Sequence, residues 1–133
     1  MKILIIGASS YIGKHLYEHF SKKMKIIGTY FSKPQDNLVY FDLENPDFNA
    51  LDLSDVKYAI ICSAIGRIDD CKKEKDKSYK INVEGTKKLI EKLLEMGIIP
   101  VFFSSTYVFD GEKGDYNEED DRNPRTDYGK HKK

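Results

Sequence analysis

The chain has 133 residues, 40% hydrophobic and 33% charged, which is enough to bury a core and is typical of a globular domain. Lysine and arginine number 22, as do aspartate and glutamate, and this balance excludes a general attraction to nucleic acid or to a membrane surface. No apolar run approaches the roughly 20 residues of a membrane span, and the two cysteines suggest no disulfide framework, so we expect a reducing, cytoplasmic setting.

Five short apolar runs predict β-strands. The first is too short for a helix and rich in β-branched residues, as expected of a strand buried on both faces. Along the chain the predicted strands cover residues 3–6, 25–30, 37–41, 58–62 and 101–103. Pro100 opens the last of them, a position where a missing N–H is tolerated.

Helical patterns lie between these strands. An apolar stripe of Ile12, Leu16 and Phe20 predicts a helix over about 10–22. Residues 44–54 form a crossover with at most a short helix. A long helical region is predicted over about 72–96 and ends at Gly97, which suits a left-handed cap.

The alternation of strands and helices indicates a single α/β domain over residues 1–133. Right-handed crossovers give a doubly wound parallel sheet of about five strands with helices on both faces. In such sheets ligands bind at the carboxyl ends of the strands, where the strand order reverses.

The turn after the first strand is the main candidate for a phosphate-binding site. Gly7 permits a tight turn, and Gly13 permits close packing of the new helix, whose N-terminus attracts a pyrophosphate. An ordinary glycine turn is the alternative. The cofactor-binding candidates in this turn are Gly7, Ser9, Ser10, Tyr11, Ile12 and Gly13.

This turn resembles the GxxGxxG fingerprint of short-chain dehydrogenases/reductases, with Ser10 in place of the middle glycine. The resemblance implies a Rossmann-type NAD(P)-binding fold. The Ser10 hydroxyl either donates a hydrogen bond to a phosphate or occupies space that weakens the site; both alternatives stay open.

The end of the second strand bears on which dinucleotide binds. NAD-binding chains usually carry a carboxylate there for the ribose hydroxyls, but no acid occurs before Asp36. Ser32 and Lys33 could accept a 2′-phosphate, so NADP(H) is favoured over NAD(H). The alternative is that Lys33 is an ordinary exposed loop cation.

Two further stretches fit the same resemblance. Asp42 and Leu43 resemble the family's Asp-aliphatic pair that contacts adenine, although an aspartate that begins a turn explains them nearly as well. Ser63 and Ala64 are small residues that leave room for the cofactor. The stretch Asn82-Val83-Glu84-Gly85-Thr86 resembles the family's Asn-Val-x-Gly-Thr, in which the asparagine bridges the backbone of the neighbouring strand.

The chemistry is expected from Ser105, Tyr128 and Lys132. Tyr128 and Lys132 are four residues apart and share a face of a helix. A phenol is a weak acid near neutral pH, and a neighbouring ammonium stabilises its phenolate, so such a pair can exchange a proton with a carbinol oxygen. By the resemblance, Ser105 bonds the same oxygen and Lys132 also holds the nicotinamide ribose.

The stretches around Ser105 and Tyr128 look most like the dTDP-4-dehydrorhamnose reductase branch, although Thr106 stands where that branch often has an acid. The resemblance implies NAD(P)-dependent hydride transfer to a 4-keto nucleotide sugar. An epimerase or dehydratase of the same superfamily and a non-catalytic NAD(P)-binding regulatory module remain alternatives.

The resemblance also implies that later strands and a substrate lobe are missing. We therefore expect the chain alone to be nearly inactive, and the edge of strand five and the uncovered helix surface to allow self-association. No metal site is expected, because His15 and His19 lack a third ligand, and the acidic stretch 112–121 is expected to be a solvated loop.

Overall fold

A five-stranded parallel sheet is the centre of the computed structural model, which describes all 133 residues. The strands are β1 (Lys2–Ile6), β2 (Lys25–Tyr30), β3 (Leu38–Tyr40), β4 (Val56–Ile61) and β5 (Ile99–Phe102). Their order is β3-β2-β1-β4-β5, and every neighbouring pair is parallel. The strand order reverses between β1 and β4, as in doubly wound sheets. The predicted Rossmann-type α/β fold is confirmed.

The chain divides into two compact units, which are described separately. The sheet unit, Met1–Ser63 with Thr86–Phe103, holds all five strands and the helices α1 (Tyr11–Phe20) and α4 (Thr86–Glu95). The helical unit is Ala64–Gly85 with Ser104–Lys133. It holds α2 (Ile68–Lys73), α3 (Lys75–Tyr79), a π-helical segment (Lys80–Gly85), a 3-10 turn (Thr106–Val108) and α5 (Asp127–Lys132).

The core of the sheet unit forms around β1, the central strand. Its apolar residues alternate between the two faces of the sheet. Ile3 and Ile5 pack with Ala8 and Ile60, and partly buried residues of α1, β2 and β3 cover this cluster. Leu4 and Ile6 are also buried, which explains why β1 is a continuous apolar run rather than an alternating one.

The two helices of the sheet unit follow their sequence signals. Ser10 caps α1 at its N-terminus, within the predicted helix of residues 10–22. α4 buries Leu89 and Leu93 and contacts β5. Gly97 follows with a φ of +72°, so the predicted left-handed cap is confirmed. The crossover after β3 holds only a 3-10 turn, Phe48–Ala50, as expected.

Helical structure covers most of the predicted helical region over residues 72–96, although not as one continuous α-helix. Helical structure begins earlier, at Ile68, and breaks at Glu74, whose φ and ψ are −116° and 58°. Across this break the Ser78 hydroxyl donates to the carbonyl groups of Cys71 (3.3 Å) and Lys75 (3.0 Å). Side-chain bonds of this kind offer the backbone an alternative to the regular helical ladder.

β5 is an edge strand that begins two residues before the predicted start, so Pro100 lies inside it rather than at its opening. An edge strand tolerates the missing N–H of proline. Ile99, Val101 and Phe103 are exposed here. None of the helices combines the length and the apolar character that crossing a bilayer would need.

Candidate functional site

The glycine turn after β1 is built so that only glycine fits at its first position. Gly7 has a φ of +81°, in the left-handed region. A Cβ on it would lie 2.5 Å from Ser63 Oγ and 2.8 Å from Ser63 N. The Gly7 N–H donates to the buried Thr29 hydroxyl at 2.9 Å. The turn is therefore held against the carboxyl ends of β2 and β4, at the point of strand-order reversal.

Gly13 brings the first turn of α1 onto the same loop. A Cβ on Gly13 would overlap the Gly7 carbonyl oxygen and lie 2.9 Å from Ala8 Cα. The helix N-terminus thus rests directly on the glycine turn, and its unpaired N–H groups face the end of the sheet. This is the arrangement that anion-binding turns of doubly wound sheets use.

The Ser10 side chain has a definite place in this turn. Its Oγ accepts a hydrogen bond from the Gly13 N–H at 3.1 Å and so caps α1. The hydroxyl hydrogen stays available as a donor, because the cap uses only an oxygen lone pair. Beside it, Tyr11 and Ile12 are 83% and 53% exposed. The predicted turn residues thus combine a capped helix start with exposed side chains.

The loop after β2 presents hydroxyl, cationic and aromatic groups. Ser32 and Lys33 are both exposed. Phe31 and Tyr40, at the ends of β2 and β3, are half exposed and stacked, with ring centroids 6.0 Å apart and planes at 29°. Sequence reasoning missed this aromatic pair. Its signal was an aromatic residue at the end of each of two adjacent strands.

Asp42 and Leu43 follow β3 but differ in exposure. Asp42 is half-buried, and one carboxylate oxygen, Oδ1, accepts from the Glu44 N–H at 2.9 Å. The aspartate therefore begins a turn and keeps its second oxygen for a ligand. Leu43 is buried, so its side chain serves the protein core. After β4, Ser63 is half-buried and Ala64 exposed.

Ser105 and Tyr128 lie on elements of the helical unit that pack together. Ser105 caps the 3-10 turn, where its Oγ accepts from the Tyr107 N–H at 3.2 Å. A Cβ on Gly129 would overlap the Tyr107 carbonyl oxygen, so α5 touches this turn through backbone. The rings of Tyr107 and Tyr128 meet edge to face at 5.9 Å. The structure thus brings the predicted serine and tyrosine onto adjoining segments.

Tyr128 and Lys132 share a face of α5, as their spacing predicts. The Lys132 ammonium lies 5.9 Å from the centroid of the Tyr128 ring. Thr126 caps this short helix by accepting from the Gly129 N–H at 3.0 Å. Both Tyr128 and Lys132 are half-buried, which leaves the phenol accessible beside a cation.

Two cavities of about 350 and 450 Å³ flank a stacked aromatic pair in the helical unit. Phe109 and Tyr116 form the pair, with ring centroids 4.5 Å apart, and line both cavities. The Tyr116 hydroxyl donates to Asp110, and this hydrogen bond lowers the pKa of that carboxyl. The larger cavity also takes in Ser105. Cavities of this size suit small-molecule ligands.

Two of the six carboxylates in the acidic stretch 112–121 form ion pairs. Lys113 bridges to Asp120 at 2.5 Å, which lowers the pKa of that carboxyl, and Arg125 pairs with Glu112. No three histidine, cysteine or acidic side chains come together as a metal-binding group. The other four acidic residues are exposed, as expected of a solvated loop.

Asn82 bridges backbone as its motif implied, but its partner is in the loop after β4 and not in a strand. Its Oδ1 accepts from the Ile65 N–H at 2.8 Å, and its Nδ2 donates to the Ile65 carbonyl at 3.0 Å. Asn82 is 4% exposed and lies in the π-helical segment. The side chain therefore holds the loop that follows Ala64.

Comparisons with known proteins agree with this geometry. Residues 1–133 match the family model described as the RmlD substrate binding domain. Methionine adenosyltransferase 2 subunit beta of Bos taurus is 30% identical over 136 residues, covering 98% of this chain and 40% of that protein.

Two solved structures are similar in both fold and sequence. A hypothetical dTDP-4-dehydrorhamnose reductase of Sulfolobus tokodaii has a TM-score of 0.87 at 35% identity, covering 99% of this chain and 49% of that one. A dTDP-4-dehydrorhamnose reductase of Clostridium acetobutylicum has a TM-score of 0.74 at 31% identity, covering 99% and 46%. The chain spans about half the length of these structures.

Proposed function

Because the chain belongs to the family of the RmlD substrate binding domain, we propose that it is the cofactor-binding and catalytic part of an NADP(H)-dependent nucleotide-sugar reductase. The proposed substrate is a nucleotide-linked 4-keto sugar. The observation that carries the proposal is the Lys132 ammonium 5.9 Å from the Tyr128 ring, on a helix packed against the turn that Ser105 caps.

The glycine turn supports dinucleotide binding. Glycine at positions 7 and 13 lets the turn pack against Ser63 and the first turn of α1 rest on the turn, and the N-terminus of that helix can attract a pyrophosphate. The Ser10 hydroxyl hydrogen is available as a further donor. Exposed Ser32 and Lys33 offer a hydroxyl and a cation for a 2′-phosphate. No acidic residue lies between β2 and Asp36 to bond the ribose hydroxyls of NAD(H), which also favours NADP(H).

In the proposed reaction a reduced nicotinamide, when bound, supplies a hydride to the carbonyl carbon. Tyr128 gives its phenolic proton to the carbonyl oxygen, so the ketone becomes a secondary alcohol and the tyrosine a phenolate. Lys132 stabilises that phenolate by its charge. Ser105 donates its hydroxyl hydrogen to the same oxygen, which is possible because its Oγ serves Tyr107 only as an acceptor.

The test is NADPH-dependent reduction of a dTDP-4-keto-6-deoxy sugar, monitored as the loss of NADPH absorbance. Since the solved relatives are about twice as long, turnover is measured with and without a polypeptide that supplies their second half. We expect turnover only with it. Tyr128→Phe should then lower kcat by roughly 10²- to 10⁴-fold, as for loss of a general acid. Tyr107→Phe, a neighbouring tyrosine on the 3-10 turn, is the matched control.

Two other outcomes would redirect the proposal. Interconversion of nucleotide sugars without net NADPH consumption would indicate an epimerase or dehydratase. Cofactor binding without turnover under either condition would support a non-catalytic NAD(P)-binding module. The similarity to a protein named as a subunit of methionine adenosyltransferase favours this second alternative.

A further inference from the structure

The orientation of the Asn82 amide follows from its two bonds to Ile65. The Ile65 N–H requires an acceptor, and the Ile65 carbonyl requires a donor, so Oδ1 and Nδ2 cannot exchange places. One N–H of Nδ2 is used by Ile65. The same nitrogen lies 3.2 Å from Nδ1 of His131. The Cys71 sulfur also lies within reach of this nitrogen, at 3.8 Å. Because sulfur is a weak acceptor and Nδ1 is closer, the second N–H donates to the histidine ring.

This bond determines the protonation state of the ring. A donor on Asn82 needs a lone pair on His131 Nδ1, so the ring proton must be on Nε2. A protonated imidazole carries N–H groups on both nitrogens and would oppose the Asn82 N–H. The bond exists only while His131 is neutral.

His131 lies on α5 between the two proposed catalytic residues, Tyr128 and Lys132. α5 has six residues, far fewer than a helix needs to be stable alone. Tertiary contacts must therefore order it. Those contacts include the backbone approach of Gly129 to the 3-10 turn and the bond from His131 to Asn82.

The surroundings keep the His131 ring neutral near pH 7. Burial lowers the pKa of His131 below its ordinary value of 6.5, Asp127 acts to raise it, and Lys130 adds to the lowering. The Tyr79 ring meets the imidazole edge to face at 6.0 Å. Asp127 and Lys130 of α5 are the charged groups that act on the ring. Two further titratable groups contact its neighbours: Lys75 of α3 pairs with Asp127 at 3.7 Å, and Cys71 of α2 lies 3.8 Å from Asn82 Nδ2.

We propose that His131 is a positioning residue for Tyr128 and Lys132: its neutral ring fastens α5 to Asn82, and protonation of the ring releases the helix. Because the pKa of His131 is lower in the folded chain, the stability contributed by its neutral ring is present above pH 6.5. It is lost as the pH falls from 6.5 through the lower folded pKa. The positioning role in catalysis rests on the proposed function. The hydrogen bond from Asn82 to His131, called the tie below, does not.

The first test reads the ring directly in the full chain. Long-range ¹H–¹⁵N NMR should show His131 Nδ1 unprotonated and Nε2 protonated at neutral pH. The amide signals of Ile65 and Gly129 should move with the His131 titration. An Nδ1-protonated tautomer, or a titration that leaves Ile65 unmoved, would overturn the proposal.

The second test uses two substitutions of His131. His131→Ala removes the acceptor, so the helical amides of Lys130 and Lys133 should exchange roughly three- to tenfold faster at neutral pH, the worth of one hydrogen bond. His131→Asn keeps a side-chain acceptor near the Nδ1 position but cannot titrate, so it should restore protection and remove its acid sensitivity. His19→Asn, an exposed position on α1, controls for loss of a histidine. Equal exchange in the wild type and His131→Ala would contradict the tie.

A third measurement separates the proposal from the proposed function. With the second half supplied, His131→Ala should lower kcat more than it raises KM, and His131→Asn should recover activity at mildly acid pH. If the ring results hold and no reductase activity is found, the proposed function fails and the tie stands. If activity is found and is insensitive to His131→Ala, the positioning role fails alone.

Discussion

A Cβ atom on residue 13 would overlap the carbonyl oxygen of Gly7, so the loop after β1 and the first turn of α1 touch through backbone alone. This contact aims the helix N-terminus at the carboxyl end of the sheet. The contact requires glycine at position 13, whereas Gly7 is required by its positive φ and by the closeness of Ser63.

Gly13→Val should abolish cofactor binding and destabilise the protein. The branched side chain must push α1 away from the turn, and overpacking of this kind costs about 1–3 kcal/mol. Calorimetric titration with NADPH and urea unfolding would measure the two effects. Gly66→Ala is the matched control, because a Cβ there meets nothing within 4 Å. Unchanged NADPH affinity in Gly13→Val would show that the cofactor does not use this turn.

Ser10 substitutions should separate helix capping from phosphate binding. Ser10→Ala removes the cap and should cost about 1 kcal/mol of stability, whereas Ser10→Gly should cost only a few tenths. Ser10→Gly should leave NADPH affinity equal or tighter, since it removes a side chain from the approach. Weaker binding in Ser10→Gly would instead identify the hydroxyl as a phosphate ligand.

Lys33→Ala should weaken NADPH binding and leave NADH binding unchanged, because only NADPH carries the 2′-phosphate. In the wild type we expect NADPH to bind tighter than NADH. Isothermal titration of both cofactors measures this, with the exposed Lys22→Ala as control. Tenfold tighter NADH binding, about 1.4 kcal/mol, would reverse the assignment of the cofactor.

The Lys2 side chain should govern the titration of Asp52. Its ammonium lies 2.5 Å from the Asp52 carboxylate and, with Ser54, lowers the pKa of Asp52 to about 2 from 3.8. The stability from this depressed pKa is present above pH 3.8 and is lost as the pH falls toward 2. Lys2→Met should return the Asp52 pKa toward 3.8 in a carboxyl ¹³C NMR titration. Lys25→Met, at the start of β2, should not shift it.

Short-range patterns predicted most of the sheet unit. The strand at residues 25–30 has its predicted bounds, and the other four were located to within two residues. Apolar runs of this length have few alternatives once they are flanked by turns and amphipathic helices. The glycine turn was recognisable because its backbone requirements fall within seven consecutive residues.

Side-chain contacts between neighbouring elements decided what the apolar pattern did not reveal. The break at Glu74 depends on Ser78 bonding back across it, and nothing in the apolar periodicity marks it. The Phe31–Tyr40 stack depends on the pairing of β2 with β3. Both features depend on specific side-chain contacts between neighbouring elements, which apolar periodicity does not encode.

The sequence by itself determined the parallel α/β class, the glycine turn and the placing of Tyr128 and Lys132 on one helical face, because each follows from spacing within a few residues. Only the tertiary structure decided how α5 is held. The bond from Asn82 to His131 joins residues 49 positions apart, and its donor is known only because Ile65 fixes the amide. A hydrogen bond acquires its direction from the partners around it, and folding alone brings those partners together.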